Sequence, residues 1–220
     1  RYKRYYPYST VGSKAVGFCS TDNTGVWGIE SKYNSSLNGV SGRRYGYFNT
    51  DLDLVETVNE PTNGNNITST IDVNVQGILE RHMNTFQKNT GSKNMGCIIM
   101  NPQNGEIYAM SSYPEYNLNN PRDLSAFYSP EKIDKMSDKK KTENLNKIWR
   151  NYCISDAYEP GSTFKIITST AALEAGAVSL NDTFYCPGFK IVEDRRIRCH
   201  KAGGHGSETF VQGVQNSCNP

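Results

Sequence analysis

The sequence predicts an α+β protein, helices packed on a mainly antiparallel sheet and preceded by a β-rich segment. Three observations carry this expectation. Asp72 precedes a run in which Val75, Ile78, Leu79, Met83 and Phe86 recur at helical spacing. Cys97-Ile98-Ile99-Met100 and Glu106-Ile107-Tyr108-Ala109-Met110 flank Asn101-Pro102-Gln103-Asn104-Gly105, the composition of a hairpin. A second helical run from Ser162 to Ala175 is closed by Gly176.

The elements follow in order. The first 50 residues are rich in Tyr, Gly and Ser, and Gly12, Gly17, Gly25, Gly28, Gly39 and Gly42 punctuate what read as short β pieces. The basic start, Arg1, Lys3 and Arg4 among tyrosines, reads as a solvated segment cut from a longer strand rather than as a surface-binding arm. Glu60 to Asn66 is a turn-rich boundary, separating a domain over residues 1–62 from another over residues 63–220. The helix begun at Asp72 ends at Gly91. Residues 114–147, rich in Asn, Pro and Lys, read as a long surface excursion with one short helix, and Lys139-Lys140-Lys141 as a solvated face. In the second helix Phe164, Ile167, Ala171 and Ala175 form one apolar stripe. Ile166, Ala172 and Leu173 lie off it, so burial on more than one face is expected.

Composition excludes several classes of function. Lys and Arg number 24 against 22 Asp and Glu, a net charge of +2, too small for a general electrostatic claim on nucleic acid or lipid. No run approaches the ~18 apolar residues of a membrane helix. The aromatics, 14 Tyr, 8 Phe and 2 Trp, supply a core and argue against disorder. Six cysteines are too few for a disulfide-dense scaffold, yet three fall in the last 35 residues.

The chemistry concentrates in Glu159-Pro160-Gly161-Ser162-Thr163-Phe164-Lys165. Ser162 and Lys165, three residues apart, share a helix face. A serine hydroxyl needs a base, and a lysine serves when burial favours its neutral form. The helix N-terminus favours a developing oxyanion. An ordinary helix cap with an exposed lysine is the plain alternative. Downstream, Ser217-Cys218-Asn219 is an S-x-N triplet, the companion of S-x-x-K in serine β-lactamases and penicillin-binding proteins. Alone it would be a loop turn.

Five blocks carry a resemblance. "YEPGSTFKIITSTAALEAG", "GHGSETFVQGVQNSCN" and "GCIIMNPQNGEIYAMSS" resemble the transpeptidase domain of class B penicillin-binding proteins. "GFCSTDNTGVWGIESKYNSSLNGVSG" is similar to the end of that family's pedestal, or dimerisation, domain, and "ITSTIDVNVQGILE" to the first helix of its catalytic domain. Cys199 with Ser-Cys-Asn is most similar to the Gram-positive elongation and sporulation branch. The resemblance implies the C-terminal part of a pedestal over residues 1–62 and the N-terminal part of a transpeptidase domain over residues 63–220. It implies that Ser162 attacks the penultimate D-alanine carbonyl of a stem peptide, or a β-lactam. Lys165 would take the proton, Ser217 would pass it on, and Asn219 would bind the acyl-side amide. No cofactor is implied for catalysis. Implied partners are peptidoglycan stem peptides, β-lactams and a membrane-bound glycosyltransferase of wall synthesis, with no nucleic acid. The implied location is the outer face of the cell membrane, with an anchor upstream of Arg1. The family's Lys-Thr/Ser-Gly strand lies downstream of S-x-N and is absent from these residues, so a fragment that alone is inactive is expected. A non-catalytic scaffold of a wall-synthesis complex is the alternative function. A β-lactamase fits worse, because the pedestal-like region is foreign to it.

Cys186, Cys199, His205 and Cys218 form a Cys3His set whose spacings match no short zinc knuckle. Buried thiols or a disulfide are the alternatives, and His200 is a second candidate ligand. In the family fold the loop with Cys199 and His205 should approach S-x-N, whose middle residue points away from substrate. A structural zinc bracing that loop is the expectation.

Overall fold

Residues 3–220 are described by a computed structural model, in which the chain divides after Asp156 into units Arg1–Asp156 and Ala157–Pro220. The expectation for Arg1 lies outside the described residues. All strand pairs among the described residues are antiparallel, as the sequence predicts.

In the first unit the anticipated β pieces are instead three short helices, α1 (Ser13–Val16), α2 (Gly28–Lys32) and α3 (Asn34–Leu37). Gly12 and Gly17 bound α1 and Gly28 opens α2, whereas Gly25 lies in an isolated antiparallel bridge with Cys19. Gly17 ends α1 at φ 73°, and a Cβ there would stand 1.8 Å from the Trp27 carbonyl oxygen. Only β1 (Arg43–Phe48) and β2 (Leu54–Asn59) form a sheet in this stretch, and every residue of both strands is exposed. The basic start is solvated only in part, with Lys3 exposed. Arg4 pairs with the buried Glu30 at 3.0 Å, and Tyr6 is buried with its hydroxyl donating to Glu30 at 3.2 Å.

The long helix α4 (Val73–Thr90) begins where expected, Asp72 accepting from the amides of Asn74 and Val75, and Gly91 ends it at φ 69°. Its apolar face is only half used. Leu79 and Met83 are buried, whereas Ile78 and Phe86 are exposed and Gln76 and Glu80 are buried instead. Gln76 is held by the Met110 backbone, accepting from its amide at 2.8 Å and donating to its carbonyl at 3.0 Å. The hairpin β3 (Gly96–Met100) and β4 (Ile107–Ser112) forms as the sequence predicts.

Residues 114–147 are not an excursion. They hold α5 (Pro130–Asp134) and most of α6 (Asp138–Trp149), followed by α7 (Tyr152–Ser155). Leu145, Ile148 and Trp149 on one face of α6 join Tyr6, Phe18, Tyr116, Leu118 and Leu124 in the main core of this unit. The polar composition misled because few apolar residues sufficed. Trp149 also finds a polar partner, its Nε1 donating to the Pro121 carbonyl at 2.7 Å. The Lys run is a solvated or half-buried face, as expected, with Lys140 paired to Glu143 at 3.2 Å.

A polar cluster is built into the same unit. Glu115 accepts from Ser111 at 2.5 Å and from Ser13, while Lys14 donates to the Ile148 carbonyl. Burial, with the Glu80 charge, pushes the Glu115 carboxyl up to about 7, and desolvation lowers Lys14 to about 8.

The second unit opens with a 3-10 turn, Gly161–Phe164, continuing into α8 (Lys165–Glu174). Then come β5 (Thr183–Cys186), β6 (Phe189–Val192), β7 (Arg195–Arg198), β8 (Gly206–Thr209) and α9 (Phe210–Gln215). β5 pairs with β8 and β6 with β7. Thr209 and Gln212 cap α9 reciprocally, a capping box. The expected burial of α8 is not met: none of its residues is buried, and Ile166 is 68% exposed. A helix apolar on several faces needs several covering layers, and the described part of this unit supplies none that buries it.

Candidate active site and cysteine cluster

The chain enters α8 through Gly161 at φ 59°, which lets the backbone turn from Pro160 into the helical turn bearing Ser162. Ser162 is exposed, and its hydroxyl makes no hydrogen bond among the described residues. The expected Ser162–Lys165 contact is therefore not formed. Lys165, one turn on, is half-buried among oxygens rather than buried in apolar surroundings. Its Nζ donates to the Ser217 carbonyl at 2.6 Å, to Ser217 Oγ at 3.1 Å and to Asn219 Oδ1 at 2.7 Å. The two sequence motifs, 52 residues apart, thus meet at the lysine.

Ser217 holds its position at a backbone cost. It follows α9 at φ 49°, a left-handed conformation that non-glycine residues adopt rarely. The Ser217 amide donates to the Val214 carbonyl at 3.0 Å, and that of Cys218 to Gly213 at 2.9 Å, so the C-terminal turn of α9 fixes the triplet. Asn219 is tied from its other side, its Nδ2 donating to the Arg198 carbonyl at 2.7 Å. That tie carried no sequence signal, because a main-chain carbonyl has no residue identity.

Cys218 turns toward Cys186, Cys199 and His205, and the ligand atoms of all four lie within 4.8 Å of one another. Cys199 Sγ is 3.5 Å from His205 Nδ1. Cys186 arrives from the end of β5 and Cys199 from the residue after β7, both buried. His200 lies farther out, its Nδ1 3.9 Å from Cys199 Sγ. The buried Glu208 is 3.9 Å from His205 Nδ1 and accepts from Asn216 at 2.5 Å, a partner that the sequence did not reveal. The donor set suits zinc. Bonds of about 2.3 Å to sulfur and about 2.0 Å to nitrogen put tetrahedral ligand atoms roughly 3.5–3.8 Å apart; the Cys199–His205 pair at 3.5 Å matches this, and the four atoms together lie within 4.8 Å.

Ser162 at a helix start, Lys165 one turn on and the S-x-N triplet at that lysine follow the order and spacing of the S-x-x-K and S-x-N motifs known from serine acyl-transfer enzymes. A profile of the penicillin binding protein transpeptidase domain matches residues 95–220, more than half the chain, and the chain belongs to that family. Stage V sporulation protein D of Bacillus subtilis is 37% identical over 224 residues, covering 99% of this chain and 31% of that protein. Peptidoglycan D,D-transpeptidase FtsI of Buchnera aphidicola is 31% identical over 181 residues, 81% of this chain and 28% of that protein. The chain thus spans under a third of the length of these relatives. Among solved structures, the penicillin-binding protein PBP2 of Helicobacter pylori in complex with MreC superposes with a TM-score of 0.69 at 26% identity, covering 98% of this chain and 41% of that one.

Proposed function

We propose that this chain is part of a peptidoglycan D,D-transpeptidase that works through a serine acyl-enzyme and is acylated by β-lactams. What carries the reading is the contact of Lys165 Nζ with Ser217 Oγ and Asn219 Oδ1 at 3.1 and 2.7 Å. Ser162 Oγ attacks the penultimate carbonyl of the stem peptide, and its proton passes to Lys165. Ser217, within hydrogen-bond reach of that amine, relays a proton to the leaving D-alanine. Asn219 presents its amide to the acyl-side peptide, and the Ser162 N–H at the helix start stabilises the oxyanion. Closing the gap between Ser162 and Lys165 belongs to substrate binding, since such contacts often tighten only in the complex. Intact-mass spectrometry of the full-length protein after penicillin treatment tests this. One β-lactam adduct, lost in Ser162→Ala, is expected; an adduct that survives the substitution overturns the nucleophile.

The domain organisation proposed is a pedestal over residues 1–62 followed by transpeptidase sequence from residue 63, which includes the family match at 95–220. The protein is further proposed to sit on the outer face of the cell membrane through an upstream anchor. No helix among the described residues is long and apolar enough to cross a membrane. Wall-synthesis partners, a membrane-bound glycosyltransferase among them, are proposed by analogy with the relatives, one of which is solved with MreC.

Cys186, Cys199, His205 and Cys218 are proposed to hold a structural zinc ion. The four convergent ligand atoms support this, together with the Cys199–His205 separation of 3.5 Å, which suits two ligands of one tetrahedral ion. Bound there, zinc neutralises the crowded thiolates. The protein itself does the positioning: Cys218 anchors the middle of the triplet, so Ser217 and Asn219 face Lys165 from the opposite side. Metal analysis of the purified protein tests it, with one zinc per chain expected. A metal-free, fully active protein overturns it, as does a Cys199–Cys218 disulfide found by mass mapping.

A further inference from the structure

The β6–β7 hairpin bears Lys190, Arg195, Arg196 and Arg198, all exposed. None of the four forms an ion pair among the described residues. Its only acidic groups, Glu193 and Asp194, sit at the turn. The register sets Phe189 opposite Arg198 and Ile191 opposite Arg196, so both arginines share a face with those apolar residues. Lys190 and Arg195 lie on the reverse face with Val192 and Ile197. The Arg196 guanidinium is 3.8 Å from the centre of the Phe189 ring, which restrains an otherwise free side chain. Like charges two residues apart on one strand face repel, and no acidic side chain of the described hairpin pairs with either arginine.

The second observation is where this hairpin ends. The Arg198 main-chain carbonyl accepts from Asn219 Nδ2 at 2.7 Å, so the end of β7, from which the Arg198 side chain projects, lies beside the S-x-N triplet. We propose that the β6–β7 hairpin is a carboxylate-reading arm: Arg196 and Arg198 bind free side carboxylates of an acidic donor peptide whose scissile carbonyl is presented to Ser162. This rests on the transpeptidase reading and names the class of donor. The planar guanidinium fork matches a carboxylate through two parallel hydrogen bonds, and the Phe189 ring holds one fork ready. A membrane surface suits the hairpin less well. Basic and apolar residues occur on both of its faces, so it offers no single apolar face to lay into a bilayer.

The test uses the full-length protein in a Ser162→Ala background, so that binding is read without turnover. Two fluorescent peptides ending in D-Ala-D-Ala, identical except that side carboxylates are free in one and amidated in the other, are titrated by anisotropy. At least about tenfold tighter binding of the free-carboxylate peptide is expected, with the preference abolished in Arg196→Gln, retained in Arg195→Gln on the opposite face, and weakened by salt. Equal or undetectable binding of both peptides overturns the proposal, as does a preference that survives Arg196→Gln. Hairpin-dependent capture by phosphatidylglycerol vesicles without any peptide preference overturns it in favour of a lipid surface. Penicillin acylation at Ser162, measured in parallel with the unsubstituted serine, separates this outcome from failure of the enzyme reading. Loss of acylation with the peptide preference intact strikes only the enzyme reading; normal acylation with no preference strikes only the arm.

Discussion

Lys165 Nζ donates to Asn219 Oδ1 at 2.7 Å across 54 residues of chain, and the same Asn219 donates through Nδ2 to the Arg198 carbonyl. One amide therefore links the first turn of α8, the end of β7 and the S-x-N triplet. Removing it should disturb the lysine's surroundings as well as substrate binding. For Asn219→Ala we expect the penicillin acylation rate of the full-length protein to fall by about 10²-fold or more, as on losing a positioned polar group from an acyl-transfer site. Stopped-flow acylation measures it; an unchanged rate removes Asn219 from the site.

Cys218→Ser should act on the same loop from behind. The substitution replaces one of the four proposed zinc ligands and leaves Ser217 and Asn219 in place. A loss of bound zinc, a lower melting temperature and slower acylation are expected together, and chelation of the parent protein should reproduce them. Full zinc occupancy in the variant would remove Cys218 from the ligand set.

The Glu115 cluster makes stability depend on pH. The folded-state value is raised to about 7, chiefly by burial, so the folded protein holds this proton more tightly than the unfolded chain. Stability from this group is complete below the ordinary carboxylate range, falls as pH rises from about 4.5 toward 7, and levels off above. Lys14, lowered to about 8, acts in a higher window: stability lost to its burial returns as pH climbs from about 8 toward 10.5. Thermal melts from pH 4 to 8 should slope downward, and Glu115→Gln should flatten that slope. A slope identical in the variant would assign the effect elsewhere.

Gly17→Ala should be severe. The position combines φ 73° with a would-be Cβ only 1.8 Å from the Trp27 carbonyl oxygen, so neither backbone can give way cheaply. A loss of about 3 kcal/mol or more is expected from the left-handed conformation and the clash together. Urea denaturation measures it; a loss below about 1 kcal/mol would mean that α1 and α2 separate freely.

Local signals with a local cause were legible. Asp72 and Gly91 bound α4, the Asn-Pro-Gln-Asn-Gly turn joins β3 and β4, and the S-x-x-K and S-x-N motifs meet at Lys165. What stayed hidden depended on partners distant in the chain. Gln76 and Glu80 are buried on α4 while Phe86 is not, because the Met110 backbone and the Gly12 amide provide polar partners that no periodicity encodes. Tyr116, Leu118 and Leu124 were lost among Asn and Pro, although each is a core residue. In the candidate site, the Arg198 carbonyl and Glu208 could not be foreseen, since one is a main-chain group met by Asn219 and the other meets Asn216 and His205 only once the chain is folded.

Ser13 and Lys14 reach Glu115 and Ile148 across more than a hundred residues, bypassing the turn-rich stretch at Glu60–Asn66 altogether. A protease nick in that exposed stretch would cut the chain without parting the pieces. The N-terminal piece would carry away a buried ammonium and leave a buried carboxylate and an orphaned carbonyl on the other, each costly to bare. The severed halves would migrate as one particle until denatured. In the first unit, then, covalent continuity and mechanical continuity are separate properties, and the second resides in these buried polar contacts together with the packing of Tyr6 and Phe18 into the shared core.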